Sequence, residues 1–139
     1  MSLIEKLFSL ENQTAVVIGG TGTLCGEMAR GFAGAGAHVV VVGRNREKGD
    51  ECVAAIEAEG GLAEFQQADV ASRESLEKLL DRVLSTHAGI DILVNGAGVN
   101  SPTPLLEIDD EEFARILDIN LGAVLRSCQI FGAQMLNQE

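Results

Sequence analysis

Residues Thr14 to Arg44 read T-A-V-V-I-G-G-T-G-T-L-C-G-E-M-A-R-G-F-A-G-A-G-A-H-V-V-V-V-G-R. Ala15 to Ile18 is a short apolar run rich in β-branched residues, the pattern of a strand buried on both faces. Gly19, Gly20 and Gly22 break that pattern. A helix follows, with Leu24, Met28 and Phe32 at i, i+4 and i+8 on one face. Gly34 and Gly36 end it, and Val39 to Val42 form a second apolar strand. Two parallel strands joined by a crossover helix make a βαβ unit, here over Gln13 to Val42. A glycine-rich turn between the first strand and the helix lets a diphosphate approach the backbone, and the free N–H groups of the helix N-terminus hold its charge. The turn residues Gly19, Thr21, Gly22, Thr23 and Leu24 are therefore candidate contacts for a dinucleotide. A tight turn without a ligand is the alternative. The position of this turn, after a strand and at the start of an amphipathic helix, favours nucleotide binding.

Outside this stretch, Met1 to Asn12 form a lead-in with a short helical turn at Leu3 to Phe8. Asn45 is a plausible N-cap for a helix that carries Val53 and Ile56 inward, runs to about Ala58 and stops at Gly60-Gly61. Leu62 to Ala68 is a third strand, interrupted by Glu64, Gln66 and Gln67 as suits a sheet edge. Ser72 can cap a helix whose stripe is Leu76, Leu79, Leu80, Val83 and Leu84. Ile90 to Val94 is a fourth strand, followed by the loop N-G-A-G-V-N-S-P-T-P. Asp109, with Glu112 three residues on, makes a capping box possible. Phe113, Ile116 and Leu117 are expected to face inward, with Leu121, Val124, Leu125, Cys128 and Phe131 continuing the stripe on a second helix.

Alternating strands and helices predict an α/β fold, a doubly wound parallel sheet in the order 3-2-1-4 with its switch point beside the glycine turn. Strand 4 would then be an edge, yet Ile-Leu-Val is the sequence of a central strand. The chain reads as a single dinucleotide-binding domain over residues 1–139 that forms the first half of a larger fold.

The chain has 139 residues and 46% hydrophobic residues but no Trp or Tyr, so the core is aliphatic. A net charge of −11 argues against nucleic acid and anionic membranes as partners. No apolar run is long enough to span a bilayer, and the N-terminus does not read as a secretory signal. Cys25, Cys52 and Cys128 are scattered without metal-ligand spacing, and no metal site is expected. They read as small buried residues in a reducing cytoplasm. Cys25 is near a helix N-terminus, which can lower a thiol pKa.

Four signals in order then resemble the short-chain dehydrogenase/reductase family, whose N-terminal half the whole chain matches. They are the glycine turn at Gly19 to Gly26, Asp69-Val70 after the third strand, Asn95-Gly96-Ala97-Gly98 after the fourth, and Asn120 in D-I-N-L-G. The resemblance implies a Rossmann-like fold, NAD(P)-dependent hydride transfer at a carbonyl or secondary alcohol, and association through the last two helices. It implies that Asp69 meets the adenine amino group and Val70 covers the ring; otherwise Asp69 caps a turn. Asn95, Ala97 and Gly98 bring backbone close to the cofactor, though the Asn95 side chain could instead tie neighbouring strands together. Asn120 is polar within an apolar stripe and needs a partner or a water. In the family it holds a water in a proton relay, which makes it the one catalytic candidate.

Two departures stand out. The family turn is T-G-x-x-x-G-x-G, whereas Thr23 and Cys25 occupy the second and third glycine positions here. The variant resembles that of sugar-acid oxidoreductases of the mannonate/fructuronate type. The family's catalytic Ser and Y-x-x-x-K pair lie beyond Asn120, and this chain has no Tyr. His38 and His87 do not replace that Tyr, because both lie at helix-to-strand connections. The chain alone is expected to be inactive, either as the cofactor-binding part of an oxidoreductase or as a stand-alone nucleotide-binding or interaction module. After the second strand come Gly43, Arg44, Asn45 and Arg46 with no acidic residue, so a 2′-phosphate is favoured and NADP(H) preferred over NAD(H). The alternative is that both arginines are surface charges at a helix start.

Overall fold

The computed structural model describes residues 3–138. Four parallel strands form one sheet in the order β3-β2-β1-β4. They are β1 (Thr14–Ile18), β2 (His38–Gly43), β3 (Leu62–Gln67) and β4 (Ile92–Asn95). The helices are α1 (Leu3–Phe8), α2 (Thr23–Gly34), α3 (Arg46–Ala58), α4 (Arg73–Thr86), α5 (Asp110–Leu117) and α6 (Ala123–Leu136). A π-helical turn, Asp118–Gly122, joins the last two. The expected order and doubly wound architecture are both present.

The side-chain period of two divides each strand between two cores. Val16, Ile18, Val40 and Val42 face Leu76, Leu79, Val83 and Phe131 of α4 and α6. Ala15, Val17, Val39 and Val41 face Cys25, Ala29 and Ala33 of α2 and Ile56 of α3. Every residue of β1 is buried and the middle four of β2 are as well, which explains their unbroken apolar runs. β4 is only partly buried along its length. Its apolar sequence lies at an open edge of the described sheet.

The caps follow the sequence. Asn45 Oδ1 accepts from Lys48 N at 3.0 Å, Ser72 Oγ from Ser75 N at 3.2 Å and Asp109 Oδ1 from Glu112 N at 2.8 Å. The reciprocal half of the capping box does not form. The Glu112 carboxylate instead accepts from the hydroxyls of Ser101 and Thr103 and fastens the long loop to α5.

Three packing expectations need correction. On α2 the buried residues are Cys25, Ala29 and Ala33, while Leu24 and Met28 face outward. The glycine turn brings this helix close to the sheet, and only small side chains fit between them. Phe113, Leu117, Leu121 and Leu125 are also exposed, between 45% and 67%. The inward positions there belong to Ala123, Ser127 and Phe131. Of the cysteines, Cys25 is buried, Cys52 is partly buried and Cys128 is exposed. Burial pushes the Cys52 thiol pKa up.

The end of α6 is fixed to the start of β4 by one side chain. Gln138 accepts from Ile90 N and donates to Ile90 O, both at 2.8 Å. The π-helical turn is held by Arg126, whose guanidinium donates to Asp118 Oδ1 at 2.8 Å. That hydrogen bond holds the Asp118 carboxyl below the usual carboxylate range.

Candidate dinucleotide site

The strands' carboxyl ends surround a cavity of about 220 Å3. Gly19, Thr21 and Gly22 line one side, Gly43 and Arg44 the second, Ala68 and Val70 the third, and Gly96, Ala97 and Gly98 the fourth. Each group lies at or just beyond the carboxyl end of one of the four strands, so the parallel topology alone brings them together.

The glycine turn is built against β2 and the β4 loop. Gly19 N and Gly20 N both donate to Val42 O, at 2.9 and 3.1 Å. Gly19 has φ +82°, and a Cβ there would lie 2.7 Å from the carbonyl carbon of Gly96. Only glycine combines that backbone conformation with that approach. A Cβ on Gly96 would lie 2.0 Å from Cys25 Sγ. Cys25 at the family's third glycine position is thus accommodated by a glycine across the turn, and its side chain points away from the cavity into the helix–sheet interface.

The start of α2 differs from the other helix starts at this end of the sheet. Its N-cap is Gly22, which makes no side-chain cap, and its first turn has no acidic residue. α3, α4 and α5 are each capped by a side chain and each has acid in the first turn. The first-turn N–H groups of α2 are therefore the ones available to an anion.

Of the sequence candidates, Gly19, Thr21, Gly22, Arg44, Val70, Ala97 and Gly98 line the cavity together. Thr23 faces the outer side of the turn, beside Glu27 and Lys48. Leu24 is exposed, and Asn45 uses its side chain to cap α3. Asp69 forms the turn foreseen as the alternative to adenine contact, its Oδ1 accepting from Ala71 N at 3.0 Å. Asn95 does not tie two strands together. Its amide accepts from the Ser127 hydroxyl and reaches Cys128 Sγ at 3.4 Å, joining β4 to α6. Asn120 satisfies its amide on one backbone unit, accepting from Val99 N at 2.8 Å and donating to Val99 O at 2.9 Å. That pair of bonds connects the π-helical turn to the loop after β4, and Asn120 Oδ1 lies 3.3 Å from where a Gly98 Cβ would stand.

Arg46 is engaged elsewhere. Its guanidinium lies 5.5 Å from the Phe65 ring centroid and 3.9 Å from Asp50 Oδ1. Arg44 is the arginine at the cavity. Sequence reasoning missed Ile18, Val42, Gly43 and Ala68 as lining residues, and did not single out Gly96 within the Asn95-Gly96-Ala97-Gly98 motif. Gly43 had a readable signal, since it closes the apolar run of the second strand. A Cβ there would meet Thr21 Cγ2 at 2.6 Å.

The family description short chain dehydrogenase matches residues 13–139. A 3beta-hydroxysteroid dehydrogenase 1 from Eggerthella lenta is 39% identical over 86% of this chain and 46% of its own length. A 2-dehydro-3-deoxy-D-gluconate 5-dehydrogenase from Formosa agariphila is 35% identical over 83% of this chain and 44% of its own length. The crystal structure of a metagenomic short-chain oxidoreductase in complex with NADP superimposes with a TM-score of 0.86 at 31% identity, covering 92% of this chain and 58% of that one. The chain spans about half the length of the curated relatives it matches.

Proposed function

The chain belongs to the short-chain dehydrogenase/reductase family, and from that premise we propose that residues 1–139 are the dinucleotide-binding, N-terminal half of an NADP-preferring oxidoreductase. The observation that carries this reading is the uncapped, acid-free start of α2 beside the cavity at the strand ends. The residues fit a dinucleotide. At Gly19, Gly43 and Gly98 a Cβ would press on Gly96, Thr21 and Asn120 respectively, so glycine lets these walls of the cavity close on one another. Val70 offers an apolar surface for a ring, and Arg44 is the cation placed to distinguish a 2′-phosphate from a hydroxyl. Asp69, already in its turn through Oδ1, accepts the adenine amino group. The neighbour that carries NADP supports binding of this cofactor class.

When bound, the nicotinamide supplies or accepts the hydride. The chain's own residues bind and orient it. Thr23 and Leu24 contribute first-turn backbone N–H groups, Asn45 holds the loop beside Arg44, and Asn95 with Ala97 fixes the wall after β4. Asn120, positioned on Val99, is the relay residue that the family resemblance assigns. These 139 residues contain no Tyr to protonate the substrate oxygen. The proposed reaction therefore belongs to a longer protein that adds that donor, and the isolated chain binds without turning over. A stand-alone binding or interaction module is the second reading, favoured by that missing Tyr. The substrate class is a small secondary alcohol or its ketone. The variant glycine turn and the gluconate-type relative point toward sugar acids.

We place the protein in the cytoplasm, on the strength of three free thiols that suit a reducing compartment. No helix among the described residues is long and apolar enough to cross a membrane. The acidic surface disfavours nucleic acid and membrane partners. The exposed stripe on α5 and α6 is the proposed surface for a second copy.

Titration of the purified chain with NADPH, followed by the cofactor's own fluorescence, tests the reading directly. The absence of Trp and Tyr leaves that signal free of background. Saturable one-to-one binding, tighter than for NADH, is expected. No binding of either cofactor at millimolar concentration would sink the proposal.

A further inference from the structure

At the opposite end of the sheet, three ligating side chains from three elements converge. His38 opens β2, Glu64 lies within β3 and His87 follows the last turn of α4. The register pairs His38 with Leu62, and Glu64 is two residues on, so both side chains belong to the face that α4 covers. His87 Nε2 lies 3.5 Å from Glu64 Oε1. One nitrogen of each imidazole and one carboxylate oxygen all lie within 4.8 Å of one another. The two imidazole centroids are 4.4 Å apart with the rings nearly perpendicular.

His87 supplies an independent observation. Its side chain is only 8% exposed, and its Nε2 is buried with no hydrogen-bond partner among the described residues. A buried imidazole nitrogen without a partner is costly. A cation placed between His87, Glu64 and His38 removes that cost and neutralises the half-buried carboxylate. The three residues also have a route to solvent. His38 and His87 line a cavity of about 480 Å3 with Asn12, Thr14 and Leu62.

We propose that His38, Glu64 and His87 bind one divalent transition-metal ion, Zn2+ by preference, at the amino end of the sheet. Two imidazoles and one carboxylate are a recognised Zn2+ donor set, with the fourth tetrahedral position left to water. Tetrahedral ligands at Zn2+ bond lengths stand about 3.4 Å apart, so His87 and Glu64 are already at ligand spacing and the widest separation closes by side-chain rotation. The ion fastens edge strand β3 and the end of α4 to β2. It lies across the sheet from the dinucleotide cavity and takes no part in the hydride chemistry. Spacings of 26 and 23 residues form no recognisable motif, so only the fold brings these three together.

The test uses the full chain, freed of metal by dialysis against chelator and titrated with Co2+ at neutral pH. Visible ligand-field bands saturating at one ion per chain are expected, without the near-ultraviolet thiolate band that cysteine ligands give, and Zn2+ should displace the Co2+. Zn2+ should raise the thermal midpoint, and chelator should reverse the rise. His87→Gln and Glu64→Gln should each weaken Zn2+ binding at least about a hundredfold. Glu64 is partly exposed, so Glu64→Gln decides the matter if His87→Gln fails to fold. Three results would each overturn the proposal: no Co2+ spectrum at millimolar ion, a thiolate band, or binding unchanged in Glu64→Gln.

Discussion

Gly19 and Arg44 make the sharpest demands on residue identity. Gly19 combines φ +82° with an approach to the Gly96 backbone that leaves no room for a methyl group. Gly19→Ala should cost about 2 kcal/mol or more in unfolding free energy. It should also abolish NADPH binding, because the turn and the loop after β4 must separate to admit the side chain. Chemical denaturation and cofactor titration of the same variant check both effects. Arg44 acts on selectivity. A bidentate, charge-assisted contact contributes about 1.5–3 kcal/mol, so Arg44→Ala should weaken NADPH roughly ten- to a hundredfold and leave NADH nearly unchanged. Equal losses for the two cofactors would remove the case for a 2′-phosphate contact. Arg46, against Phe65 and Asp50, should matter to α3 and β3 more than to the cofactor.

At the scale of elements, α2 and the α5–α6 pair show how a periodic stripe can mislead. Spacing identifies a helix but does not say which face is buried. On α2 the sheet takes the small residues Cys25, Ala29 and Ala33, because the glycine turn brings helix and strands into close contact. On α5 and α6 the stripe of Phe113, Leu117, Leu121 and Leu125 is exposed, while Phe131 and Ser127 fill the inner face. Four large apolar side chains at helical spacing on one exposed face suit a helix from a second copy. Leu121→Glu places a charge at the centre of that stripe. It should shift the chain from dimer to monomer in analytical ultracentrifugation while leaving the helix content in circular dichroism unchanged. Wild-type chain that stays monomeric at high concentration would exclude this surface.

Taken whole, the two proposed sites lie at opposite ends of the strands. The carboxyl ends present glycines, free N–H groups and Arg44; the amino ends present His38 and His87 with Glu64 between β2 and the close of α4. Ligand at the first site should stabilise the entire fold, because all four strands contribute to the cavity. At a hundred times its dissociation constant NADPH adds about 2.7 kcal/mol. For a chain of this size that is a rise in Tm on the order of 10 °C, with a smaller rise for NADH at the same concentration. Differential scanning fluorimetry with an extrinsic dye reads this directly, and an unchanged Tm would mean that the cavity does not hold the cofactor.

The sequence by itself determined the strand–turn–helix order, the 3-2-1-4 sheet, the three side-chain caps and the glycine turn, because each depends on local periodicity, turn chemistry and chain direction. It also exposed the missing Tyr and the absence of acid after β2. The tertiary structure alone decided which face of each helix is buried, since that depends on how closely the partner surface approaches. It turned Asn95 toward α6 instead of a neighbouring strand, and paired Asn120 with Val99, because both contacts join residues more than twenty positions apart. It gave Arg44 the cavity and Arg46 the Phe65 ring. It alone assembled His38, Glu64 and His87, residues whose proximity comes from parallel pairing and a crossover helix and leaves no trace in their spacing.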